Sequence, residues 1–449
     1  MSNHKRKTDE HDIAIHKKVA LQKKHVDLII SNATQVATVR GHSGTPAVGA
    51  QMDQPGIIEN ASIAVLGDKI ISVGKSDEIF SRYESEDYID ATGKVVTPGF
   101  IDAHTHFVFA GSRENELEMK LKGAGYMEIL QSGGGIFRTV RDTRAASEDE
   151  LLTIGKRRGM CLLKHGVTTI EGKSGYGLTL PDEIKILEVM KRLNTETPLT
   201  VIPTFLGAHA LPPEFSGRKS DYVRTICEEW IPEIQKRQLA RFCDVFCEKD
   251  VFELSDSRKI LEAGKKFGLL PKIHADELYA LGGTELAAEI AAVTADHLLQ
   301  ASPAGLTKLK TAGTIAVLSP ATPLTLMTEK YANARGMIQQ SIPIALGSDL
   351  NPSCWIENHQ LIIALACYKL RMTPAEALVA ATINAAHSIR MAHTIGSIEP
   401  GKKADLLILD VKDYRSLANR IGSNLVVTVV KNGRVEVRQD NLLTPTSES

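Results

Sequence analysis

The sequence predicts an α/β fold: a (β/α)8, TIM-like barrel carrying a small discontinuous β-sandwich built from both termini. Three observations predict it. Eight short apolar runs alternate with helical patterns or long loops through the middle of the chain. Several of those runs end in His, Asp or Glu, which is where barrels of this kind place functional groups. The stretches before and after them are both β-rich and of matching character. The expected division is a flexible basic extension over 1–25, a sandwich over 26–96 plus 395–449, and a barrel over 97–394.

The first 25 residues carry seven Lys/Arg, three Asp/Glu and four His, with little apolar clustering. They lack the apolar stretch of a secretory signal, and the acids argue against a transit peptide. From Val26 to Val96, short runs such as Val26–Ile30, Ser62–Leu66 and Lys69–Val73 are separated by Gly, Asp and Asn turns, as strands of a small sheet are. Barrel strands are expected at 95–104, 167–172, 199–207, 241–247, 269–275, 292–298, 314–319 and 342–348. Helices are expected at Glu148–His165, Leu180–Leu193, Asp221–Lys236, Ser255–Phe267 and Ser302–Thr311. A doubly wound sheet shares the alternation, but no Gly-x-Gly-x-x-Gly follows a first strand. Near the C-terminus, Asn432-Gly433 between two apolar alternations signals a hairpin.

Composition narrows the function classes. A formal net charge of −1 over 449 residues argues against a nucleic-acid partner. No apolar run approaches the length of a membrane span. Six scattered cysteines fit a reducing, cytoplasmic setting better than a disulfide scaffold. Cys243 and Cys247 are expected to pack in or beside the fourth strand.

The chemistry-bearing pattern starts at His104-Thr-His106, at the end of an apolar run. Residues i and i+2 of a strand face the same side, roughly 6–7 Å apart, so both imidazoles can converge on one ion. Further along come His274-Ala-Asp-Glu277, Asp296-His297 and Ser348-Asp349, each closing its own apolar run, and His209 follows the third. A single His at a strand end is commonly a structural residue. Recurrence at five strand ends, all facing one mouth, argues for a site. His104, His106, His274 and Asp349 would offer three imidazoles and one carboxylate, a set suited to one divalent ion per chain, zinc or iron (Fe2+/Fe3+). Such an ion can lower the pKa of water from 15.7 to about 7. Glu277 could shuttle a proton to a leaving nitrogen, and His297 could polarise a carbonyl. Which of Glu277, His297 and Asp349 takes the first proton is left open by sequence.

The His-x-His strand, the later His and the final Asp resemble the amidohydrolase superfamily. The closer resemblance is to its imidazolonepropionase family, carried by Ala110–Arg113, Gly133–Ile136, Lys173–Leu178, Leu206–His209, Asp244–Glu248, His274–Glu277, Ala295–His297 and Ser348–Pro352. It runs from about residue 26 to 437. It implies hydrolysis of the lactam C–N bond of 4-imidazolone-5-propanoate, a small-molecule substrate, and a homodimer. It places Arg113, Tyr126 and Tyr176 near the substrate carboxylate, His209, Glu277 and His297 around the ring, and Asn351 at the product or ring end. The family often has Gly or Asn after the Asn-Pro; Ser353 stands there, as a substrate-side residue that would crowd the pocket slightly. The resemblance leaves two other readings: a nucleobase deaminase with the same metal ligands, and a non-catalytic scaffold on the same fold. Arg113 discriminates against the first, since a neutral base offers it no carboxylate. The intact ligand set argues against the second.

Overall fold

A computed structural model describes residues 23–123 and 134–439. Tyr126 and the basic extension through residue 22 lie outside the described residues.

Eight parallel strands run in sequence order around a barrel: Phe100–Thr105, Val167–Lys173, Thr200–Ala208, Phe242–Cys247, Leu270–Ala275, Thr294–His297, Ile315–Leu318 and Ile344–Leu346. Two backbone hydrogen bonds join the first strand to the chain leaving the eighth. Asp349 N–H donates to the His104 carbonyl at 2.9 Å, and His106 N–H donates to the Leu350 carbonyl at 2.8 Å. Gly347 permits this seam, because a Cβ there would stand 2.6 Å from His104 Cβ.

The helices follow from local signals. Ser147 and Glu150 form a reciprocal cap at the start of Glu148–Lys164, and Thr179 and Ser302 cap Leu180–Glu196 and Pro303–Ala312. The expected continuous helix at Asp221–Lys236 is interrupted by a wide turn over Ile226–Trp230. Pro232 has no N–H to donate, and Ile231 N–H reaches back five residues to the Ile226 carbonyl.

The apolar run at 95–104 is divided between two sheets. Gly99 N–H donates to the Asp405 carbonyl, whereas Phe100 N–H donates to Gly166 inside the barrel. Val95–Pro98 therefore belongs to a sheet made from both ends of the chain, ordered Arg434–Arg438, Val426–Lys431, Leu406–Leu409, Val95–Pro98, Leu28–Ala37, Ile57–Leu66 and Lys69–Lys75, with Tyr88–Asp90 added beside Leu28–Ala37. Its pairing with Ile57–Leu66 shifts register between Ile30 and Ala33, where Asn32 takes a φ of 56°. Ile30, Ile63 and Val65 from one arm and Val96, Leu406 and Val430 from the other form one buried cluster. Asn432 and Gly433, with φ of 50° and 78°, make the tight turn joining its last two strands. No helix among the described residues is long and apolar enough to cross a membrane.

Gly347→Ala is expected to destabilise the protein by about 1–3 kcal/mol through overpacking against His104. Thermal unfolding checks it; an unchanged Tm would mean that the seam has slack.

Candidate active site

The barrel mouth gathers the residues from five strand ends. His104 Nδ1 donates to Asp296 Oδ2 at 2.6 Å, which leaves the Nε2 lone pair facing Asp349 Oδ1 at 3.6 Å. His106 Nε2 stands 3.5 Å from the same Asp349 oxygen and 3.4 Å from His274 Nε2. Donor atoms 2.0–2.2 Å from a tetrahedral ion stand about 3.4 Å from one another. The spacing therefore fits a metal ion. His104 Nε2 is buried and finds no hydrogen-bond partner among the described residues. The donor atoms of His104, His274 and His297 also cluster, so His297 lies beside the set without displacing His106 from it.

Electrostatics prepare these rings unequally. Burial, helped by the Lys173 charge, holds His104 well below the ordinary histidine pKa, and burial does the same for His106 with its neighbouring imidazoles. Both are thus neutral, the form that binds metal. Burial also pulls His274 down, but the carboxylate of Asp244, 3.1 Å from its Nδ1, outweighs it and raises the pKa. A ring made more basic is a stronger ligand.

Asp349 adopts a φ of 53°, and Thr322 Oγ1 donates to its Oδ2 at 2.8 Å. Glu277 lies 3.7 Å from His297 Nε2, and burial raises its pKa above the ordinary glutamate value. The residue before it, Asp276, does not line the cavity. Its carboxylate accepts from the N–H groups of Leu281, Gly282, Gly283 and Thr284 and from the Thr284 hydroxyl, which pins the loop that carries Glu277.

A cavity of about 170 Å³ opens above the cluster. Arg113, Tyr176, His209, Asn351 and Ser353 line it together with His106, His274, Glu277, His297 and Asp349. His209 Nδ1 donates to the Gly175 carbonyl at 3.0 Å, so Nε2 is its acceptor, and burial lowers its pKa to about 3. Tyr176 is buried, which raises its phenol pKa and keeps it a neutral donor. Its loop is held by Glu183, which accepts from Gly175, Gly177 and Leu178 N–H. Asn351 turns its amide mainly on its own loop, donating to the Asp349 carbonyl and accepting from Ser353 and Cys354 N–H. Ser353 Oγ accepts from Arg113 Nη2, so the hydroxyl steers the guanidinium. Arg113 Nε is buried with no hydrogen-bond partner among the described residues; Glu116 is 3.9 Å away. Cys243 and Cys247 are buried in the fourth strand.

Sequence reasoning missed the layer beneath. Glu171, Lys173, Asp244, Lys272 and Asp296 are all fully buried inside the barrel. Lys173 Nζ lies 2.7 Å from Asp244, 3.0 Å from Glu171 and 3.3 Å from Asp296. Burial opposes its charge, but those three carboxylates outweigh burial and raise its pKa. The signal was present as charged residues inside otherwise apolar strand runs, at Glu171, Lys173 and Lys272.

The amidohydrolase family model matches residues 95–435. Imidazolonepropionase of Geobacillus kaustophilus is 50% identical over 415 residues, covering 91% of this chain and 98% of that protein. The chain belongs to the imidazolonepropionase family of amidohydrolases. A second family member, from Brevibacillus brevis, is 51% identical over 92% of this chain and 98% of its own length. Solved structures share the fold: a zinc-bound adenosine deaminase from Xanthomonas campestris matches with a TM-score of 0.70 at 17% identity, covering 93% of this chain and 94% of its own. Guanine deaminase of E. coli matches with a TM-score of 0.66 at 14% identity, over 92% and 99%. The two deaminases are like this chain in fold alone.

Asp276→Ala should destabilise the protein by more than about 2 kcal/mol, since it strips the acceptor from five donors. A denaturation midpoint equal to wild type would show that water replaces the carboxylate at no loss.

Proposed function

We propose that this chain hydrolyses the ring C–N bond of 4-imidazolone-5-propanoate, opening it to N-formimidoyl-L-glutamate. The observation that carries the reading is Arg113, whose guanidinium lines the same small cavity as four imidazoles and two carboxylates. A substrate that joins a hydrolysable ring amide to a short carboxylate tail matches both ends of that cavity. Family membership supports the same reaction class, hydrolysis of a C–N bond in a cyclic amide.

In this reading His104, His106, His274 and Asp349 hold one metal ion per chain, zinc or iron. When bound, the ion supplies Lewis acidity toward a carbonyl oxygen and toward water. Arg113, oriented by Ser353, binds the propionate carboxylate, because its planar fork matches two oxygens. Tyr176 donates a phenolic hydrogen bond beside it. His209, neutral and with Nε2 free to accept, holds a ring N–H. Glu277 takes a proton from the attacking water and delivers it to the ring nitrogen as the C–N bond breaks. Its raised pKa suits both halves of that transfer. His297, next to Glu277, donates to the carbonyl oxygen as charge develops there. The oxygen of water ends in the new carboxylate, and the nitrogen leaves as part of the formimidoyl group.

The direct test is an ultraviolet assay of imidazolone propionate loss, run beside cytosine and guanine. Turnover of the first alone supports the reading; turnover of a nucleobase instead replaces it with deamination.

Elemental analysis of gently purified protein should find about one zinc or iron per chain. No metal, with activity that survives chelation, would sink the ligand assignment, and a value near two would require a binuclear site.

Glu277→Gln should keep its metal and lose roughly 10²–10⁴-fold in kcat. Unimpaired turnover would remove Glu277 from proton transfer.

Arg113→Met should lower kcat/KM by about 10–150-fold, which is the loss of one charge-assisted hydrogen bond of 1.5–3 kcal/mol. A substrate analogue without the carboxylate should distinguish wild type from mutant hardly at all; a full effect on that analogue would place Arg113 elsewhere in the mechanism.

A further inference from the structure

Two of the imidazoles assigned to the ion are each faced by a carboxylate on the ring edge turned away from the mouth. Asp296 Oδ2 accepts from His104 Nδ1 at 2.6 Å, and Asp244 Oδ2 stands 3.1 Å from His274 Nδ1. The same two oxygens are the ones that Lys173 Nζ reaches, at 3.3 and 2.7 Å. One ammonium on the second strand thus spans carboxylates on the fourth and sixth, and through them rings on the first and fifth. We infer that Lys173 is a positioning residue for the metal site: it holds Asp244 and Asp296 so that His104 and His274 present their lone pairs to one point. The inference rests on the metal reading above.

Several observations single out this residue. Lys173, Asp244 and Asp296 are wholly buried, so their charges are screened little by solvent. The other cation of this buried layer, Lys272, pairs with Glu171 at 3.6 Å and lies over the Phe242 ring, and it acts on Asp244 and Asp296 only from beyond ion-pair distance. Lys173 itself does not reach the cavity lining. Without the ammonium, Asp244, Asp296 and Glu171 repel one another in a buried layer, and the oxygens that orient the imidazoles lose their common anchor. Groups that orient metal-binding histidines typically change metal affinity 10–100-fold when lost.

The test measures Zn2+ affinity of the full-length protein by competition with a chromophoric chelator, together with thermal unfolding of the metal-free forms. Lys173→Met should weaken Zn2+ binding by roughly 10–100-fold. Because a lone methionine there leaves buried carboxylates without their counter-charge, a second comparison carries the test if that variant does not fold. Asp296→Asn alone keeps Lys173 on Asp244; Lys173→Met with Asp296→Asn removes one charge of each sign and frees Asp244. The double variant should bind Zn2+ at least about tenfold more weakly than Asp296→Asn alone. Equal affinities in that pair, or a Lys173→Met protein whose Tm falls while its Zn2+ affinity stays within twofold, would show that Lys173 supports folding only and overturn the inference. A wild-type protein with no Zn2+ affinity overturns the metal reading itself, and the inference with it.

Discussion

A charge buried in a protein has no solvent to spread into, so its position is fixed by whatever opposite charge it meets. The floor of this barrel mouth holds five such charges, on Glu171, Lys173, Asp244, Lys272 and Asp296. They set which imidazole nitrogen carries its proton and which carries a lone pair. His104 donates downward to Asp296 and therefore accepts upward. The convergence of the rings at the mouth follows from this polarity, and the barrel strands deliver the Cα positions within which it operates. Apolar packing alone would leave each imidazole free to choose its tautomer and its rotation.

The loops above are governed by a second version of the same physics. Asp276 and Glu183 are carboxylates that collect backbone N–H groups with no strand or helix acceptor, Glu183 from a loop and Asp276 from a loop and the first turn of the helix Gly283–Glu289. Each pins the segment that carries a cavity residue, Glu277 in one case and Tyr176 in the other. Arg158 does related work with the opposite charge. It donates to the Phe107 and Phe109 carbonyls and lies against the Phe109 and Trp355 rings, tying the segment after His106 to the segment after Ser353. Conformational freedom is thereby removed from the cavity wall before substrate arrives, which lowers the entropy lost on binding.

Much of this architecture is legible in the chain. Strand runs ending in His or Asp announce the barrel and its mouth, because period-two geometry and the direction of parallel strands leave few other arrangements. Asn432-Gly433 announces its turn because its backbone angles suit few other residue pairs. Less legible are features that depend on what a residue meets rather than on its neighbours in sequence. The split of 95–104 at Gly99 depends on two carbonyls, Asp405 and Gly166, far away along the chain. The widened turn at Ile226–Trp230 was foreshadowed by Pro232, yet the surrounding helical pattern masks it. Asp276 reads as one member of a His-x-Asp-Glu cluster, and its role in the loop emerges only from the donors it gathers. Lys173 looks like part of a loop motif, and its three carboxylate neighbours come from three different strands.

The seam between the first strand and the chain leaving the eighth has a consequence for how the protein comes into being. His104 and Asp349 are joined through their own backbones at a sequence separation of 245 residues, and the second sheet pairs Val95–Pro98 with Leu406–Leu409. An emerging polypeptide therefore holds its early histidines without their closing partner until most of the chain has left the ribosome. Contacts of such long sequence separation form late and slowly. A ribosome stalled midway would release a chain with an open sheet edge and two unpartnered imidazoles, a substrate for chaperones and proteases rather than a partial catalyst.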